Sequence, residues 1–93
     1  MDKDGWRKFI RILSNIKDPK KLEELSKLLF TSEERESFAK RVRIIEELIK
    51  DEKTQREIAE RYSISIAKIT RGSNALKETS EEMKRDLKLI MRK

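Results

Sequence analysis

Six basic side chains, Lys53, Arg56, Arg61, Lys68, Arg71 and Lys77, are set against two acidic ones, Glu57 and Glu60, between positions 53 and 77. The chemistry open to such a segment is recognition of a polyanion, because lysine and arginine neutralise phosphates and release their counterions. Catalysis has little to work with. The chain has no histidine and no cysteine, which removes imidazole acid–base chemistry, thiol nucleophiles, disulfides and the usual zinc sites. Carboxylates cluster at Glu33, Glu34 and Glu36 and again at Glu46 and Glu47. Helix capping and solvated helix faces account for both groups. Nothing resembles a nucleophile–base pair or a glycine loop that cradles phosphate. The expectation is a binding protein, not an enzyme, with no metal and no catalytic cofactor.

The basic segment divides into two short helices. Thr54-Gln55-Arg56-Glu57 is a capping box, with a threonine at the cap and a glutamate three residues later. It starts a helix that ends near Tyr62. Ser63-Ile64-Ser65 forms a tight connection, and a second helix runs from Ile66 to about Lys77. Residues 55–72 match the spacing of a helix-turn-helix, placed at about 55–77. Ile58 and Tyr62 lie four apart with small Ala59 between them. Ile64, Ile66 and Ile69 complete a core between the helices. In this motif the second helix enters the major groove and its first residues reach base edges. Ser63 stands where glycine is common. Gly72 stands where a packing aliphatic is usual, and a mid-helix glycine costs about 1 kcal/mol against alanine. A bound ligand filling the space beside Gly72 would compensate. The alternative is a packed helix pair with a basic, solvated face.

The rest of the chain supplies elements to hold this unit. Trp6, Phe9, Ile10, Leu13 and Ile16 share one face of a helix from Gly5 to about Lys17. Asp18-Pro19 ends it, since a residue before proline disfavours helical geometry. A second helix from about Lys20 carries Leu22, Leu25, Leu28 and Leu29. Thr31-Ser32-Glu33-Glu34 fits a capping box opening the longest helix, to about Ile49. Phe38, Val42, Ile45 and Ile49 form one stripe on it, and Ile44 and Leu48 a second. A small monomer needs one apolar stripe, so two predict a partner chain. Thr79-Ser80-Glu81-Glu82 repeats the capping pattern before a last helix with Met83, Leu87, Ile90 and Met91.

The 93 residues make a single all-α domain. A charged fraction of 45% can signal disorder, but helical spacing of the apolar residues predicts folded helices. A core this thin needs a stabilising device. Without cysteines, oligomerisation is the one expected. The net charge of +6 favours nucleic acid or anionic lipid as partner. No apolar run approaches the roughly 20 residues needed to span a bilayer, and Met1–Trp6 lacks the apolar core of a signal peptide. A cytoplasmic protein without membrane partners is expected.

Arg41-Val42-Arg43-Ile44-Ile45-Glu46-Glu47-Leu48, Thr54-Gln55-Arg56-Glu57-Ile58 and Ile69-Thr70-Arg71-Gly72-Ser73-Asn74-Ala75-Leu76-Lys77 together resemble the tryptophan repressor family. Thr31-Ser32-Glu33-Glu34-Arg35-Glu36 and Trp6 fall at the family's spacing too. The resemblance covers nearly the whole chain, and Arg71-Gly72-Ser73-Asn74 is its most specific part. It implies an intertwined homodimer of six-helix chains and a ligand-dependent transcriptional repressor of palindromic operator DNA. It also implies L-tryptophan as corepressor. Arg71 is then expected to pair with the ligand carboxylate, as a guanidinium fork suits a carboxylate. The indole would lie between Arg41 and Arg71, with Gly72 leaving room and Ile45 lining the pocket. Main-chain carbonyls of Leu28 and Phe30 from the other subunit would accept from the ligand ammonium, and Thr31 would border the site.

Three positions depart from the best-known members. Ala75 stands where a serine hydroxyl often helps hold the ammonium, Phe30 replaces a leucine, and Lys68 replaces a small hydroxyl residue. Losing one neutral hydrogen bond costs about 0.5–1.5 kcal/mol, so tryptophan binding is expected to persist in weakened form. On the DNA side, Ile66, Ala67 and Thr70 are expected at base edges with Lys68 close by. Gln55, Arg56, Ser73 and Asn74 are expected mainly at phosphates. Other readings stay open at this point. Arg41 and Arg71 can be surface arginines, one of them paired with Glu46 or Glu47. The chain can be a regulator that needs no corepressor or answers another small molecule. It can also be an engineered helical dimer without regulation.

Overall fold

A computed structural model describes residues 1–92, all in helices and short connections. The order is α1 (Lys3–Asn15), α2 (Pro19–Leu29), α3 (Ser32–Lys50), α4 (Gln55–Tyr62), α5 (Ile66–Lys77) and α6 (Glu81–Met91). No described residue is in a strand. The chain divides into two compact units, residues 1–35 and 36–93.

In the first unit, α1 starts two residues earlier than its apolar pattern suggests and stops at Asn15. Asp2 supplies the cap, accepting from the Gly5 amide at 2.9 Å. Asp18 closes nothing; it caps the next helix by accepting from the Lys20 amide at 3.0 Å, and Pro19 occupies the first helical position. Proline is suited there, because its missing N–H would have had no partner. Phe9 meets Trp6 at 5.2 Å and stacks edge-on against Phe30 at 5.9 Å. Neither α1 nor α2 has a fully buried residue. Trp6, Ile10, Leu13 and Leu28 all stay exposed.

The start of α3 is the reciprocal cap read from the sequence: the Glu34 amide donates to Thr31 Oγ1, and Glu34 Oε1 accepts from the Thr31 amide. The core of the second unit is four isoleucines, Ile44 from α3, Ile58 from α4, Ile64 from the turn and Ile69 from α5. Burying such a side chain contributes about 1.5–3 kcal/mol. Leu48, Ala59 and Tyr62 pack around them. Ile66, expected in this core, is instead exposed. It is the first residue of α5, next to the Ser65 cap. The two stripes of α3 separate only at the start of the helix, since Ile45, Leu48 and Ile49 are all half-buried. Ile44 faces the core, while Phe38 and Val42 are each 55% exposed.

α4 opens with the complete box: the Glu57 amide donates to Thr54 Oγ1, and Glu57 Oε1 accepts from the Thr54 amide. Those bonds hold the Glu57 carboxyl below its ordinary range. The last pattern differs from expectation. Ser80 caps α6, accepting from the Met83 amide, so the third helical residue is a methionine and no reciprocal bond can form. Thr79 donates back to the Ala75 carbonyl at 2.9 Å.

Candidate ligand cleft and nucleic-acid interface

α4 and α5 are joined by a turn in which Ser63 is left-handed, at φ 54° and ψ 48°. A side chain there costs about 1–2 kcal/mol. The fixed Ile58–Ile64–Ile69 cluster holds it in place. The turn therefore closes without glycine. Thr70 Oγ1 donates to Gln55 Oε1 at 3.2 Å, tying the second helix to the start of the first. This leaves the Gln55 amide NH2 as a free donor. Along α5, Ile66, Ala67, Lys68, Thr70, Arg71 and Asn74 are exposed, while Ile69 and Gly72 are buried. Ser73 and Gln55 are half-buried and Arg56 is exposed. The residues expected at bases thus share the solvent side of α5.

Arg41 and Arg71 line one cavity of about 140 Å³, together with Ser37, Lys40, Ile44 and Lys68. A cavity of about 150 Å³ holds a benzene ring, so this volume is of the size of one small aromatic ring. Neither arginine nor Lys68 makes an ion pair among the described residues. Glu46 pairs with Arg43 at 3.1 Å, and Glu47 with Lys53 and Lys50. The alternative that Arg41 or Arg71 is tied to Glu46 or Glu47 is not what the fold builds.

Gly72 has a packing role of its own. A Cβ added there would lie 2.8 Å from Ile44 Cγ2 and 3.8 Å from Ile45 Cδ1. The space on that side is filled by the protein's own α3. Gly72 is needed because α3 and α5 approach closely, and this packing offsets its helix cost without a ligand. Ile45 is placed against Gly72 and is half-buried, but it does not line the cavity. Ala75 is half-buried one turn further along α5. In the first unit, Leu28 is exposed and Thr31 is spent on its cap. The Phe30 carbonyl already accepts from Arg35 Nη1 at 2.9 Å.

Glu47 is the residue that sequence reasoning missed. It was expected on a solvated face and is buried, 3% exposed. Lys53 Nζ lies 2.6 Å from its Oε2 and Lys50 Nζ 3.7 Å from its Oε1. The hydrogen bond from Lys53 outweighs desolvation and holds the Glu47 carboxyl below its ordinary value. The same bond raises Lys53. This pair ties the connection before α4, where Asp51 is left-handed at φ 55°, to the inner side of α3. It thereby sets where α4 begins. The one legible signal was the spacing of Glu47, three residues beyond Ile44 on the core side.

The chain matches the family model of the Trp repressor protein over residues 4–90. It belongs to the Trp repressor family. It is 45% identical over 92 residues to a Trp operon repressor homolog of Chlamydia caviae, covering 99% of this chain and 91% of the relative. A homolog from Chlamydia trachomatis serovar D is 45% identical over 83 residues, covering 89% and 88%. One from Vibrio parahaemolyticus is 42% identical over 86 residues, covering 92% and 84%. Proteins of the Trp repressor family are regulators, not enzymes. Among the described residues, no group of three acidic side chains is placed to hold a metal ion. No helix is long and apolar enough to cross a membrane.

Proposed function

We propose that this chain is a ligand-dependent transcriptional repressor that binds palindromic operator DNA as an intertwined homodimer, with L-tryptophan as corepressor. The observation that carries the reading is the cavity that Arg41 of α3 shares with Lys68 and Arg71 of α5. A small acid seated there touches the helix that would read DNA. α4 and α5 then act as a helix-turn-helix, with Ile66, Ala67 and Thr70 at base edges, and Gln55, Arg56, Ser73 and Asn74 at phosphates. The ligand carboxylate pairs with Arg71, and its ring lies against the stem of Arg41.

Dimerisation is supported by what one chain leaves bare. In the first unit Trp6, Ile10 and Leu13 are 40–51% exposed, and in the second Val42, Leu89 and Ile90 are 55–63% exposed. Large apolar side chains exposed in this number mark an interface. Half-sites then lie one helical turn apart, roughly 34 Å, as in helix-turn-helix dimers, the Trp repressor among them. The ligand acts by favouring the arrangement in which both reading helices fit, and its effect is limited by its differential affinity for the two arrangements.

The test selects binding sites from a randomised duplex pool, with and without millimolar L-tryptophan. A palindromic consensus that is bound at least tenfold more tightly with ligand is expected, with affinity falling steeply as salt rises. Arg71→Leu should remain a folded dimer and lose the ligand response. Equal binding with and without tryptophan would overturn the corepressor role.

A further inference from the structure

We infer that α6 is part of the DNA interface, through a second phosphate seat built around Lys84. This rests on the DNA-binding reading above and extends it beyond α4 and α5. A cleft of about 380 Å³ is lined by the connection before α4, by α5 and by α6. Its donors are Lys77, Lys84, Ser73 and the amide NH2 of Gln55. Gln55 has its oxygen occupied by Thr70, so what it turns outward can only donate. Lys53 also borders the cleft, but its charge is spent on buried Glu47 at 2.6 Å. Asp51 is the one acidic residue in the lining.

Lys77 makes no ion pair among the described residues. Lys84 is restrained by its cap-side neighbour Glu81 at 3.2 Å, while Glu81 itself is 79% exposed. A pair so open to water is weak and yields readily to a phosphate. The Lys84 side chain is also only 26% exposed, so it loses less freedom on binding than a fully solvated lysine would. The occupant is a backbone phosphate of the same duplex and not a free anion, because the cleft is continuous with Gln55 and Ser73. Those two residues already face the strand that α5 follows. Phosphate contacts fix register and carry no base information. Lys84 therefore strengthens binding to every sequence equally.

The experiment measures binding of the dimer to its selected operator and to a scrambled duplex across a salt series. Lys84→Gln is expected to weaken both by the same factor, about three- to tenfold at low salt. It should also reduce the steepness of log K against log salt by about one phosphate's share, near 0.9. Lys84→Arg should keep the wild-type slope, and Lys8→Gln, on α1, should change nothing. An unchanged slope in Lys84→Gln, or a loss confined to the operator, overturns the proposal. If the wild-type dimer bound no duplex at all, the DNA-binding reading itself would fall, which is a distinguishable result.

Discussion

Replacing Gly72 by alanine separates a packing role from a ligand-room role. Alanine gains about 1 kcal/mol of helix propensity over glycine. Against this, the new methyl would stand 2.8 Å from Ile44 Cγ2, closer than carbon atoms tolerate. Ile44 is 1% exposed and has no solvent to retreat into. Overpacking of this kind costs about 1–3 kcal/mol, so Gly72→Ala should be neutral to about 2 kcal/mol destabilising without any ligand. Ile44→Leu removes the offending branch methyl while keeping the volume. In that background Gly72→Ala should stabilise, by at most about 1 kcal/mol. The coupling between the two positions should then be about 1–3 kcal/mol. The assay is urea unfolding followed by circular dichroism, at one fixed protein concentration because the stability of any oligomer depends on concentration. A glycine kept only to admit a ligand gives another pattern: Gly72→Ala would stabilise the ligand-free protein equally in both backgrounds. That outcome would refute the packing argument.

The Glu47–Lys53 pair sets a pH dependence. Glu47 titrates below its ordinary 4.5 in the folded chain, so its stabilisation is present above that value and lost as pH falls through the lower folded one. Lys53 titrates above 10.5, so its share is present below that value and lost as pH rises further. Glu47→Gln should destabilise the fold at neutral pH, because the buried side chain at position 47 loses its charge-assisted bond from Lys53. The gap to wild type should narrow as pH falls below 4.5 and again as it rises above 10.5; a gap independent of pH would show that the charge is irrelevant. Thr54→Ala removes the cap of α4 and should cost about 0.5–2 kcal/mol. Hydrogen exchange should show the first turn of α4 opening while α5 stays protected, and uniform loss across both helices would contradict a local role.

Much of this molecule is written in short-range pattern. Thr31 with Glu34 and Thr54 with Glu57 announce two helix starts, because the bonds that form there link residues three apart. The spacing of Ile58, Ile64 and Ile69 fixes which sides of α4 and α5 meet, and the exposed stripe of α5 follows from it. Even the pairing of Arg41 with Arg71 in one cavity was legible through resemblance, since both positions are tied to a known arrangement. What the chain alone did not disclose depends on contacts between elements. Gly72 reads as a vacancy until Ile44 is seen 2.8 Å from where its Cβ would be. Glu47 reads as a solvated carboxylate until the turn at Asp51 brings Lys53 back over it. Thr79 and Ser80 compete for one cap, and only the register of α6 decides for Ser80. Local hydrogen bonds are chosen by neighbours in sequence, whereas burial is chosen by whichever surface the fold happens to bring opposite.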